Sequence, residues 1–419
     1  MLELVWKGKK EVLKNLIQSI EIQEVKKFEV FNDSEYPSHK IFEGDNLKIL
    51  NHFKTVWENK FKIIYIDPPY NTGSTDFYYH DKFKSQSDDD SHTSWLNFIY
   101  PRLQLAKKLL HQNGAIFISI DDYELYHLKL ICDEVFGSNN FVANMVRLNK
   151  SGAGHDSKKL AVEYDYVLCY AKDYDKLTFS KEIIDPTDDP KYRYSDKHVK
   201  KRGKYYLRDL DYRGSYSKTL DYQITAPDGS LIFPGGKHGR PNTWRWGKSK
   251  FEWGFKNDFI VFKKRPAGYK VYIKQYQFVD NNDKPRKRTI PHRALVSFLN
   301  SKGSTELKKI LDQSIFSYPK PVDLIKYILG LFKEDENLEV LDFFAGSGTT
   351  LQAVMEYNKQ HKLAYSCTLI NNNENNICEE VTYLRNAKLI KGFTSKNGKK
   401  VEGLNQNNLR YFRAKHAGK

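Results

Sequence analysis

Hydrophobic positions recur along this chain with periods of about 3.6 and about 2, and the switches between the two mark its elements. Residues 2–31 carry Val12, Leu13, Leu16, Ile17 and Ile20 at helical spacing, which predicts an amphipathic helix. After the pair Ile41-Phe42, the polar stretch Glu43-Gly44-Asp45-Asn46 leads into a new helical pattern. Phe61-Lys62-Ile63-Ile64-Tyr65-Ile66 is the clearest strand: five of its six residues are apolar and several are β-branched, as in a strand covered on both faces. It halts at Asp67-Pro68-Pro69-Tyr70. Residues 94–112 read as helix through Trp95, Phe98, Ile99, Leu103, Leu105, Leu109 and Leu110, closed by Asn113-Gly114. A strand over 115–120 ends at Asp121-Asp122, a helix over 125–136 stops at Gly137, and 162–171 is another strand. Such alternation predicts an α/β domain with a largely parallel sheet.

The texture changes near Ile184. Over 185–292 short β-like runs, many Tyr and Trp, and turn signals such as Pro227-Asp228-Gly229 and Pro234-Gly235-Gly236 predominate, with no sustained helical period before Ala294. The α/β pattern then returns as a helix over 321–332, a strand over 339–344, a helix over 349–358, a strand over 363–370 and a helix over 378–389. The expected organisation is an N-terminal helical segment (1–35), one half of the α/β domain (36–184), an inserted β-rich module (185–293), the other half (294–395) and a tail (396–419).

Charge narrows the partners. The 419 residues hold 68 Lys and Arg against 52 Asp and Glu, a net charge of +16. That surplus favours a polyanion, nucleic acid ahead of an anionic membrane surface. No run of about 18 apolar residues exists to cross a membrane, and the opening mixes Trp6 with Lys7, Lys9 and Lys10, unlike a secretory signal. Cys132, Cys169, Cys367 and Cys378 lie far apart without CxxC spacing, which fits reduced thiols in the cytoplasm and argues against a zinc cluster, so no metal is expected. Residues 191–213 hold nine Lys or Arg against three Asp, with Tyr192, Tyr194, Tyr205, Tyr206 and Tyr212 interleaved. A second stretch, 284–293, has five basic residues and no acid. Lys200, Lys201, Arg202, Lys204, Arg208, Arg213, Arg286, Lys287 and Arg288 are the candidate contacts to DNA phosphates; a solvated charged face is the plainer alternative.

Two turns carry chemistry. In Leu341-Asp342-Phe343-Phe344-Ala345-Gly346-Ser347-Gly348-Thr349-Thr350 a strand runs into a glycine-rich turn at a helix start, where absent Cβ atoms and unpaired N–H groups can cradle a cofactor. The spacing lacks the third glycine of the dinucleotide fingerprint and the GxxxxGK of a phosphate loop. One strand later, Glu374 in Asn371-Asn372-Asn373-Glu374 could accept both hydroxyls of a ribose, and reads equally as a solvated loop carboxylate. The second turn is Asp67-Pro68-Pro69-Tyr70. Two prolines fix their φ near −65° and hold Asp67 extended, so a stiff corner presents a carboxylate, carbonyls and an aromatic plane. Such a corner suits a planar base with an exocyclic amine. Asp67 and the Pro68 carbonyl would accept the amine protons, Tyr70 would stack on the ring, and the nitrogen lone pair would face an electrophile. A base in a duplex reaches such a pocket only when flipped out, at a cost of about a few kcal/mol.

With these residues the chain resembles the β-class amino-methyltransferases of DNA, and most closely the Mod subunits of type III restriction–modification systems. The order is theirs: DPPY at Asp67–Tyr70, then a recognition module, then FxGxG at Phe344–Gly348. Similar pieces include Gly44-Asp45-Asn46 and Ser317-Tyr318-Pro319-Lys320-Pro321. The resemblance implies a seven-stranded methyltransferase fold, permuted so that the catalytic motif precedes the cofactor motif, and S-adenosylmethionine as methyl donor. It implies that Asp67, Pro68, Pro69 and Tyr70 hold the flipped base. It assigns the donor to Asp45, Asp67, Lys320, Asp342, Phe344, Gly346, Gly348, Thr349 and Glu374. Asp in the first motif position resembles adenine-N6 enzymes acting on double-stranded DNA; a cytosine-N4 enzyme and a catalytically decayed specificity subunit are the alternatives. The resemblance also implies a restriction (Res) subunit and a second copy of the chain as partners. Mod chains, however, continue well past the segment resembling Gly403–Phe412, where only seven residues follow here. A solitary or type II-like methyltransferase fits as well.

Overall fold

The apolar runs assemble into one ten-stranded sheet in the computed structural model, which describes residues 4–14, 20–31, 33–72, 88–152, 160–187, 189–214, 216–236, 242–312, 316–333, 335 and 337–416. The strands are β1 (Ile20–Glu24), β2 (Ser38–Glu43), β3 (Phe61–Ile66), β4 (Leu110–Ile120), β5 (Phe141–Leu148), β6 (Tyr164–Ala171), β7 (Leu295–Ser297), β8 (Glu339–Asp342), β9 (Ser366–Asn371) and β10 (Asn408–His416). Their order is β1-β10-β2-β9-β8-β3-β4-β6-β5-β7. From β10 to β4 every pair is parallel, whereas β6 runs against both β4 and β5. The central seven, β2 to β5, therefore form a mixed sheet with one reversed strand near its edge, flanked by three further strands.

β3 shows why its sequence is apolar almost throughout. Ile63 and Tyr65 enter one core with Leu307, Leu324, Ile325, Leu351 and Val354. Ile64 and Ile66 enter another with Ile49, Phe53, Trp95, Leu103 and Leu128. Helices Asn300–Leu311, Val322–Gly330 and Thr349–His361 thus cover one face, and Asn46–Val56, Asp88–Leu109 and Leu125–Phe136 the other. His39 on β2 is fully buried; its Nε2 donates to Asn407 Oδ1 (2.9 Å) and its Nδ1 accepts the Cys367 N–H (3.1 Å). All four cysteines are free and buried.

The N-terminal expectation is corrected. Helix is confined to Lys9–Lys14, and Ile20–Glu24 is a strand antiparallel to β10. Ile20 and Ile22 point to one side of that strand and pack on the sheet core, so alternation outweighs the helical spacing there; Leu16 and Ile17 lie outside the described residues. The helix expected over 378–389 begins instead as a π-helical turn, Ile377–Tyr383, before Leu384–Lys391. No described helix is long and apolar enough to cross a membrane.

The chain divides into two units, Met1–Ser180 with His292–Lys419, and Lys181–Pro291. The second has its own core of Leu210, Trp244, Phe259, Val271, Ile273 and Tyr276. Strands Ile260–Arg265, Gly268–Tyr276 and Tyr205–Asp209 form an antiparallel sheet within it. It also holds a helix the pattern did not reveal, Lys248–Lys256. Only Gly254 is buried on that helix, so no apolar stripe marks it.

Candidate active site

β3 and β8 pair in parallel, Ile64 opposite Leu341, so the segments leaving their C-terminal ends emerge side by side. From there the chain turns in opposite directions, β8 leading to β9 and β3 to β4. A parallel sheet opens a binding crevice at such a point. Asp67 and Pro69 from one segment, and Phe344, Gly346 and Thr349 from the other, line a single cavity there.

On the glycine-turn side, Asp342 accepts the Phe344 N–H at 3.0 Å and the Thr350 hydroxyl at 2.5 Å. Its carboxyl lines the cavity yet is buried, and burial pushes it up to about 7. Gly346 adopts φ +48°, and its carbonyl is held by Asn371 Nδ2 (3.0 Å) and Thr382 Oγ1 (2.6 Å). Gly348 plays a different part from the cradle role suggested by its motif. It is absent from the cavity wall, has φ +78°, and a Cβ there would lie 2.5 Å from Asn386 Nδ2. Its smallness lets the turn close onto the helix behind. The buried Arg385 fixes the same turn, donating to Ser347 Oγ and Thr349 Oγ1, both at 2.8 Å.

Asp45 and Glu374 also line this cavity. Asp45 caps helix Asn46–Val56 by accepting the Lys48 N–H (3.0 Å). Its neighbour Asn46 donates to the Phe343 carbonyl (2.7 Å) and accepts from Arg102 Nε (2.7 Å). The Arg102 guanidinium lies 3.7 Å over the Phe98 ring, and burial lowers it to about 10. Asn46 was read only within the piece Gly44-Asp45-Asn46 and Phe98 only as an apolar helix position, and Arg102 was not singled out; the i, i+4 spacing of Phe98 and Arg102 was the available hint.

Asp67, Tyr70 and Lys320 meet at the proline corner. Lys320 Nζ sits 2.8 Å from Asp67 Oδ1 and donates to the Tyr70 hydroxyl at 2.9 Å. That hydroxyl donates to Asp67 Oδ1 at 3.0 Å. Burial and the neighbouring carboxylate hold the Tyr70 phenol well above its ordinary value, so it stays a donor. The Trp95 indole N–H ties down the Pro69 carbonyl (2.7 Å). Pro68 is buried and does not line the cavity. Gly303 lets its helix pass close behind Lys320: a Cβ there would meet the Pro319 carbonyl at 2.2 Å. A second cavity adjoins the first, sharing Asp67, Tyr318 and Lys320 with it and adding Tyr70, Asn149, Asp165 and Asn300. Asp165 is held there by the fully buried Arg147. Asp67 thus stands in the partition between two cavities.

In the second unit, Lys200, Lys201, Lys204, Arg208, Arg213, Arg286 and Lys287 are exposed. Two candidates are corrected. Arg202 is 4% exposed, pairs with Asp283 (2.9 and 3.1 Å) and donates to the Asn257 carbonyl, so its charge is consumed in the fold. Arg288 is half-buried and donates to the Tyr276 carbonyl (2.8 Å).

A proline-locked carboxylate and a glycine turn thus wall one crevice, and the comparisons with known proteins give the class of protein that carries it. Residues 61–380 match the family described as DNA methylase, of the N6/N4 type, and the chain belongs to that family. It is 31% identical to the type III restriction-modification enzyme EcoPI Mod subunit of Escherichia phage P1, over 85% of this chain and 61% of that protein. It is 33% identical to the StyLTI Mod subunit of Salmonella typhimurium, over 77% of this chain and 51% of the relative. With the type II methyltransferase M.KpnI of Klebsiella pneumoniae it shares 32% identity over 77% of each chain. The chain therefore spans about half to three fifths of these Mod subunits.

Proposed function

We propose that the chain methylates the N6 amine of an adenine flipped out of double-stranded DNA, with S-adenosylmethionine as donor, within a restriction–modification system. The observation that carries this reading is the partition: Asp67 borders both cavities, one walled by the glycine turn and one by Tyr70. The first cavity suits the donor chemically. Asp45 and Glu374 offer carboxylates for hydroxyls, Phe98 and Phe344 offer apolar faces, and Gly346 leaves the wall free of a Cβ. Bound there, the donor would supply a methyl group on a positively charged sulfur.

The chain's own residues account for the rest. Among the described residues both contacts to Asp67 fall on Oδ1, so that Oδ2 would accept one amine proton of the target base. That hydrogen bond draws the nitrogen lone pair out of ring conjugation. Lys320 and Tyr70 fix the carboxylate's orientation, so little reorganisation is needed at the moment of transfer. Tyr70, in the second cavity, offers a stacking face. The exposed basic residues of the second unit supply phosphate contacts. Likeness to Mod subunits of type III restriction-modification enzymes favours a Res subunit as partner, whereas likeness to M.KpnI favours a type II-like methyltransferase.

The test is methyl transfer from labelled donor to duplex DNA, followed by nucleoside analysis. N6-methyladenine should form with the wild type and be lost in Asp67→Ala, which should still bind DNA. N4-methylcytosine as product would overturn the adenine assignment, and full activity in Asp67→Ala would overturn the catalytic one.

A further inference from the structure

Behind the catalytic corner, three side chains from two segments meet, His92 on helix Asp88–Leu109 and Glu124 with His127 at the start of helix Leu125–Phe136. Glu124, just after β4, is fully buried, and its carboxylate accepts from His92 Nδ1 at 2.7 Å and from His127 Nδ1 at 2.9 Å. Its Oε1 also accepts from Asn71 Nδ2 at 2.7 Å. The ligand atoms of His92, Glu124 and His127 all lie within 4.8 Å of one another. They are the one group of three or more potential metal ligands found among the described residues. Among those residues neither Lys nor Arg pairs with Glu124. A wholly buried carboxylate needs a compensating positive charge. Two imidazoles can supply it by holding protons, or by sharing a cation with the carboxylate.

We propose that His92, Glu124 and His127 bind a divalent transition ion, Zn2+ by the chemistry of the set, and that this site braces the catalytic corner through Asn71. Two imidazoles and one carboxylate are borderline-soft donors matching Zn2+, and three protein ligands leave a fourth position for water. Tetrahedral donors about 2.1 Å from an ion stand about 3.4 Å apart, so the two Nδ1–oxygen pairs need to open by about 0.5–0.7 Å. His127, 40% exposed, provides the way in. On binding, each Nδ1 presents its lone pair and its proton moves to Nε2 or to solvent, so affinity falls in acid. Asn71 stays bonded to the carboxylate, as outer partners of zinc ligands commonly do. It follows Tyr70 directly and holds φ +60°, a strained backbone for a non-glycine residue. The site is independent of which base the enzyme methylates.

The test uses the full chain, stripped with a chelator and titrated with Zn2+ against a chromophoric competitor, and separately with Co2+. One ion per chain should bind, Co2+ should show the visible bands of a four-coordinate site, and Zn2+ should raise the melting temperature. His92→Ala with His127→Ala should weaken binding roughly 100-fold or more, whereas His52→Ala with His111→Ala should not. Should that pair of substitutions fail to fold, His127→Ala alone and Glu124→Gln provide the comparison. Absence of stoichiometric binding to the wild type overturns the proposal, as does wild-type affinity in the His92 and His127 variants.

Discussion

Replacing Asp342 by asparagine should stabilise the sheet-bearing unit at pH 8 and leave it nearly unchanged at pH 4. The buried carboxyl titrates at about 7, against an ordinary value of 3.8. Between those values the unfolded chain has already lost its proton and the folded chain has not. Stability is therefore greatest in acid and declines as pH rises from about 4 to 7, then levels off. That displacement corresponds to about 4 kcal/mol, a large share of the roughly 5–15 kcal/mol by which domains are stable. Asp342→Asn keeps a side-chain oxygen for the Phe344 N–H and presents an amide to the Thr350 hydroxyl, so the substitution removes the charge with little loss of packing. Amide hydrogen exchange on peptides covering β8, read by mass spectrometry at matched pH, reports the opening free energy of this unit by itself. The variant's advantage should grow by a few kcal/mol from pH 5 to pH 8. An advantage that does not change with pH would refute the assignment of a buried charge to Asp342.

Four further outcomes follow from the same structure. Burial holds His39 down to about 4, so as pH falls from 6.5 towards 4 the unfolded chain protonates first and about 3 kcal/mol of stability is lost; urea midpoints of wild type and His39→Gln should diverge across that window. Arg202→Ala should destabilise the second unit by about 3 kcal/mol, lowering its melting temperature. Lys200→Ala with Arg208→Ala and Arg213→Ala should leave that temperature unchanged while weakening DNA binding and flattening its salt dependence. Gly348→Ala should cost at least about 1–2 kcal/mol from its positive φ alone, and more from the contact with Asn386, measurable as a fall in melting temperature with the cavity lining chemically intact.

The strands that build the crevice were legible because burial on both faces leaves a mark in consecutive residues: β3, residues 115–120 of β4 and 166–171 of β6 are largely apolar runs, whereas 110–112, read as the end of a helix, open β4 without such a mark. The two turns were legible for a related reason, since proline pairs and closely spaced glycines write backbone shape directly into sequence. Residues that act through distant partners were not. Arg102 belongs to the cavity only because Asn46 reaches it across 56 positions, and Glu124 meets His92 across 32. Nor does local pattern separate Arg202 from Lys200, two positions away; one is folded inward by Asp283, which lies 81 residues on. The N-terminal segment shows the converse error, in which helical spacing was plain but β10 offered Ile20–Glu24 a better arrangement as a strand.

The position of β10 bears on when this sheet can close during synthesis. It is hydrogen-bonded between β1 and β2, so a strand drawn from residues 408–416 separates two made near the start. At about 5–20 residues per second, that gap stays unfilled for roughly 20–80 s while the ribosome works. β2 also lacks its other neighbour, β9 (Ser366–Asn371), for nearly all of that interval, so it waits as an unpaired segment that a chaperone can shield and that neighbouring polysomal chains can pair with wrongly.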